Sequence, residues 1–169
     1  MVGTVIVQHM PPVFTRMFAE SLDRISQVEV REAQDGDEVK PGRVLVAQGD
    51  RHLRVLKRGP SWYVTSQPGP KVSGHCPSVD VLFSSVAACA GERGLGLLLT
   101  GMGRDGAEGL LAMRQAGALC LAQDEDSSVV FGMPKEAWDL GAAERLVGLN
   151  GIVDELLAAL AEPTHGRRN

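Results

Sequence analysis

Gly94-Leu-Gly-Leu-Leu-Leu-Thr-Gly-Met-Gly-Arg-Asp-Gly106, running on through Ala-Glu-Gly-Leu-Leu-Ala-Met-Arg-Gln-Ala-Gly117 to Ala118-Leu-Cys-Leu-Ala122, is the stretch that decides the fold. Gly94–Leu99 is apolar without alternation and of strand length, which predicts a strand buried on both faces. Asp105–Ala116 predicts a helix ended by Gly117, and Ala118–Ala122 predicts a second buried strand. A strand, a helix and a strand in so short a span form a βαβ unit, whose strands run parallel.

The same pattern extends outward. Val2–Val7 predicts another buried strand, ended by Met10-Pro-Pro. Val13, Met17, Phe18, Leu22 and Ile25 then recur at helical spacing. Val28–Arg31 alternates like a strand. From Gln34 to Gly69 turn residues punctuate three short runs, Val44–Ala47, His52–Lys57 and Trp62–Thr65, which predicts a hairpin-rich excursion. Pro77–Ala90 predicts a helix, as do Lys135–Leu140 and Gly151–Ala161, with a short strand at Arg145–Val147. The expected fold is α/β: a doubly wound, mostly parallel sheet carrying an inserted antiparallel hairpin region. It forms one domain over residues 1–161, with 162–169 a polar tail.

Composition narrows the function. The chain has 169 residues, 44% hydrophobic and 22% charged, and a formal net charge of -4. That balance argues against a nucleic-acid partner, which normally meets a basic face. Cys76, Cys89 and Cys120 are odd in number and form no CxxC pair, so neither a disulfide framework nor a structural zinc site is expected, and a reducing cytoplasm is. No apolar run reaches the ~20 residues that span a bilayer.

Ligands of a doubly wound sheet bind beyond the carboxyl ends of its strands. Two loops there carry useful side chains: Gln8–Pro12 with His9, and Thr100–Gly106 with Asp105. A histidine held by a carboxylate suits general-base work, and the glycines beside Asp105 let backbone amides face an oxyanion. The plainer reading of Asp105 is an N-cap of the helix that follows, with Glu108 completing a capping box. His52 and His165 read as solvated surface. His75 and Cys76, as neighbours in sequence, read as loop or core residues rather than a catalytic pair. Gly101, Gly103 and Gly106 also form a GxGxxG, with Asp124 ending the next strand 18 positions after Gly106. That is the layout of a dinucleotide site, but Asp105 would then compete with a pyrophosphate for the helix N-terminus.

Val5-Ile-Val-Gln-His-Met-Pro-Pro, with Phe14-Thr-Arg and Phe18-Ala-Glu, resembles the histidine segment of CheB-type protein-glutamate methylesterases. Pro41-Gly-Arg-Val followed by Ala47 and Gly49-Asp50 is similar to a further stretch of that family. So are Pro77-Ser-Val-Asp-Val-Leu-Phe, Leu99-Thr-Gly-Met-Gly-Arg-Asp-Gly and Val130-Phe-Gly-Met-Pro-Lys-Glu-Ala. The resemblance implies a Rossmann-like esterase with a Ser-His-Asp triad, acting on glutamate methyl esters of the cytoplasmic helical bundle of chemoreceptors and deamidating certain glutamines. It implies His9 as general base, Asp105 as its orienting carboxylate and the Met102 backbone amide in the oxyanion hole. It implies no metal or organic cofactor, and a receiver domain as a further partner.

The family's serine sits in a glycine-rich turn after a strand that precedes the histidine segment, and here Met1 opens directly on the next strand. Ser73, Ser78, Ser84, Ser85, Ser127 and Ser128 lack the strand–turn–helix setting of a nucleophile elbow. The expectation is a sheet that lacks its first strand and no nucleophile in this sequence, best explained by a start set too late. A fragment and a catalytically inactive receptor-binding relative are the alternatives.

Overall fold

A computed structural model describes residues 2–161; the expected polar tail at 162–169 lies outside the described residues. In chain order the elements are β1 (Thr4–Ile6), α1 (Phe14–Ile25), β2 (Glu29–Glu32), β3 (Glu38–Val39), β4 (Arg43–Val46), β5 (His52–Arg58) and β6 (Ser61–Gln67). They continue with α2 (Val79–Ala90), β7 (Leu95–Leu98), α3 (Ala107–Gln115), β8 (Leu119–Gln123), α4 (Met133–Asp139), β9 (Arg145–Val147) and α5 (Ile152–Ala161). Two parallel sheets, ordered β1-β4-β2 and β7-β8-β9, accompany an antiparallel one ordered β3-β6-β5.

All of β8 is buried, and its alternation divides the core. Leu119 and Leu121 pack with Ile152 and Ala159 of α5, whereas Cys120 and Ala122 pack with Leu110 and Met113 of α3. Successive strand residues point to opposite faces, so this one strand is covered by helices on both sides, as a doubly wound sheet requires. At the other parallel sheet Val46 packs on Ala19 of α1 while Leu45 packs on Leu53 and Leu82. Val7, one residue beyond β1, packs against the clusters of both halves. Among the described residues, β1 and β7 each have a strand neighbour on one side only.

One expectation needs correction. Val44–Ala47 reads in sequence as part of the hairpin excursion, yet β4 lies between β1 and β2 in parallel register, Val44 pairing with both Thr4 and Val30. Its flanking turns mark where the strand ends, not which sheet receives it. Leu45 and Val46 must be buried on opposite faces, and only a central parallel strand offers both. The antiparallel sheet is instead β5 and β6, joined through Gly59-Pro60 with Arg58 opposite Ser61, plus the short β3. Ser85 of α2 accepts a hydrogen bond from the Val55 amide at 2.8 Å, which ties the hairpin to the helix that frames the site.

Candidate active site

His9 stands in the loop after β1, and that loop is wedged. The Thr15 amide at the start of α1 donates back to Pro11 O, and Gly49 packs so closely that a Cβ there would lie 2.3 Å from Pro12 N. Thr15 Oγ1 accepts from the Gly49 amide at 3.2 Å and donates to Glu32 at 2.6 Å. These contacts hold the ring at the carboxyl edge of the parallel strands.

The structure brings His9 and Asp105 together: His9 Nε2 lies 2.7 Å from Asp105 Oδ2. Asp105 is 0% exposed and follows β7 in the second loop. It does not cap the helix that follows it, contrary to the plainer sequence reading. Gly106, at φ 98°, turns the chain between Asp105 and α3, and the carboxylate points instead into the start of α2. Its Oδ2 also accepts from the Val79 amide at 2.8 Å, and its Oδ1 accepts from Ser78 Oγ at 2.7 Å and the Asp80 amide at 3.1 Å. The carboxylate thus fills its acceptor sites with four donors, one of them His9 and three from the first turn of α2.

Burial alone would push the Asp105 carboxyl up. The hydrogen bonds from His9, Ser78, Val79 and Asp80 outweigh it and hold the group below its ordinary value. An ionised carboxylate only accepts, so the proton between the two groups resides on His9 Nε2. In the neutral ring Nδ1 then carries the lone pair, and the side chain is 23% exposed. The Asp105 carboxylate thus fixes the tautomer of the ring from behind.

Two histidine placements escaped sequence reasoning. His75 lies flat on His9, with ring centroids 3.6 Å apart and planes 7° from parallel. Nothing in a sequence separation this wide announces such a stack. His52 is not surface: it is buried, its Nε2 lies 2.8 Å from Pro70 O, and its Nδ1 accepts from the Ser78 amide at 3.3 Å. Its position at the first residue of β5 and the need of the α2 start for acceptors explain that burial.

Met102 is 81% exposed, and the loop around it is braced from beneath. Gly101 exchanges backbone bonds with Val130 and Met133, and Thr100 Oγ1 pairs with both the amide and the carbonyl of Val130. The buried Gln123 accepts from the Thr100 amide at 2.9 Å and donates to Ser127 O at 2.8 Å, a joint the sequence did not suggest. The Met102 amide makes no hydrogen bond among the described residues.

Of the serines considered as substitutes, none is hydrogen-bonded to His9. Ser78 is fully buried with its hydroxyl spent on Asp105, Ser73 donates to Asp80, Ser85 donates to Leu82 O, and Ser127 and Ser128 bond within the Asp124 turn. The dinucleotide reading fails on the same geometry. The first turn of α3 is already occupied, Asp80 Oδ1 accepting from the Gly109 amide at 2.8 Å, and Asp124 is engaged by Ser127.

The CheB methylesterase family model matches residues 1–156. Among curated proteins, the chain is 53% identical over 162 residues to the protein-glutamate methylesterase/protein-glutamine glutaminase of Syntrophotalea carbinolica, covering 96% of this chain and 46% of that protein. It is 54% identical to protein-glutamate methylesterase/protein-glutamine glutaminase 2 of Pseudomonas aeruginosa, covering 98% and 48%. The chain therefore spans about half the length of the curated relatives it matches. The solved CheB methylesterase catalytic domain of Thermotoga maritima superposes with a TM-score of 0.89 at 36% identity, covering 92% of this chain and 82% of that one.

Proposed function

The chain belongs to the CheB methylesterase family, and we propose from that premise that it forms the histidine–aspartate part of an esterase site acting on glutamate methyl esters of chemoreceptors. The observation that carries the reading is the 2.7 Å bond between His9 and a buried, ionised Asp105, within the stretch that the family model matches.

In the proposed reaction His9 Nδ1 takes the proton of a serine hydroxyl as the serine oxygen bonds to the ester carbonyl carbon. The carbonyl oxygen becomes an oxyanion, which the free Met102 amide stabilises by donating to it. Asp105 keeps the ring in place and offsets the imidazolium charge. Collapse breaks the bond to the methoxy oxygen, which leaves with the proton from His9 as methanol. Water attacks the acyl-enzyme by the same route, and glutamate is released with the serine restored. With glutamine the leaving group is ammonia.

The serine is proposed to stand outside this sequence, in a glycine-rich turn at the end of a strand that fits between β1 and β7. Their unpaired edges, and the packing of Val7 against both halves of the core, support that position. The proposed substrate is the cytoplasmic helical bundle of methyl-accepting receptors, which sets the site of action in the cytoplasm; a receiver domain is the proposed regulator. No helix among the described residues is long and apolar enough to cross a membrane.

The test joins the strand and serine turn of the Syntrophotalea carbinolica relative to the front of this chain and measures methanol released from methylated receptor. The extended protein should turn over, and His9→Ala in it should lower the rate on the order of 10⁶-fold. Turnover that survives His9→Ala would overturn the assignment.

A further inference from the structure

The second imidazole at this corner has no part in the reaction as written above. We propose that His75 is a positioning residue for His9: its neutral ring lies flat on the His9 imidazole, fixes the plane in which Nε2 meets Asp105, and supports the ring through its π-face when His9 gains a proton. This rests on the reading of His9 as the general base.

Geometry carries the case. At 3.6 Å between centroids and 7° between planes, the rings are in face contact. Two imidazolium ions at that spacing repel, so a first positive charge on the pair disfavours a second. Asp105 decides where the first resides, because its carboxylate is hydrogen-bonded to His9 and not to His75. A neutral aromatic face beside a cation attracts it. Burial first, then the charge of His9, keeps the His75 ring below the usual histidine range; Lys71 acts in the same direction and Asp105 against it.

His75 is also held as a positioning group must be. Val72 and His75 exchange both backbone hydrogen bonds at 2.9 Å across Ser73 and Gly74, whose φ values of 51° and 86° belong to a tight two-residue turn. Ser73 Oγ donates to Asp80 Oδ2 at 2.8 Å, which pins that turn to the first turn of α2. The same first turn supplies the donors that hold Asp105. Both groups that touch the His9 ring therefore hang from one frame, residues 72–80. The charged or titratable groups facing the pair are Asp105 from the loop after β7 and Lys71 from the segment before the turn.

The test is an NMR titration of the His9 ring nitrogens in this chain, comparing wild type with His75→Phe, which keeps an aromatic face, and His75→Leu, which keeps bulk without one. His75→Leu should weaken proton binding at His9 about 2–5-fold and mix its tautomers, while His75→Phe should hold both at the wild-type state. Identical titrations in the two variants, or a wild-type titration in His75→Leu, would overturn the proposal. Should either variant unfold, His75→Met and His75→Tyr repeat the contrast. The measurement involves no turnover, so it fails separately from the esterase assay.

Discussion

The loop after β7 and the loop after β8 leave the same sheet at the same edge, and each carries an aspartate. Asp105 in the first takes its hydrogen bonds from His9, 96 residues away, and from residues 78–80, on another helix. Asp124 in the second takes its bonds from Ser127, three residues on, through both the backbone amide and the hydroxyl. One carboxylate joins distant segments; the other closes a local turn. Location at the sheet edge is therefore not enough to make an acidic residue part of a reaction site. What matters is which donors it collects, and whether one of them can do chemistry.

The comparison predicts unequal costs. Asp105→Ala should be the most damaging change, because it strands the Ser78 hydroxyl and two helix amides in a buried place. A loss of about 3–5 kcal/mol in urea unfolding is expected. A loss below about 1 kcal/mol would erase the distinction.

Acid should dissolve the same difference. The Asp105 carboxyl is held below its ordinary value, so its stabilising contribution is complete above the unfolded carboxylate pKa of about 3.9 and fades as pH falls through the lower folded value. The gap in Tm between wild type and Asp105→Asn should thus be constant near about pH 6 and narrow steadily below about pH 4. A gap that widens with acid would mean the carboxyl is protonated in the fold.

Asp124→Ala should cost least, about 1 kcal/mol, as the loss of one local turn contact. Circular dichroism melts of the two alanine variants side by side would sharpen the contrast. Equal melting points would break it.

Much of this was legible in the residues. Uninterrupted apolar runs at Gly94–Leu99 and Ala118–Ala122 fixed parallel strands because only burial on both faces tolerates them. The two strand ends then put His9 and Asp105 at one edge. Sequence distance hid the rest. Asp105 sits just before α3, so adjacency suggested a cap, and only the positive φ of Gly106 frees its side chain to reach α2. Val44–Ala47 carries the right periodicity, but pairing partners are non-local and its turns resemble those of a hairpin. His52 and His75 reach their places through burial and stacking against segments far along the chain, which no local pattern encodes.

The bond from Gly109 to Asp80 completes a reciprocal clasp: the loop before α3 feeds the start of α2, and the start of α2 feeds α3 in return. Neither helix can fray at its beginning without exposing the other's. Solvent exchange at the Val79, Asp80 and Gly109 amides must then proceed through one shared opening event, and the stiffness of the whole corner is set by the less stable of two interlocked helix starts.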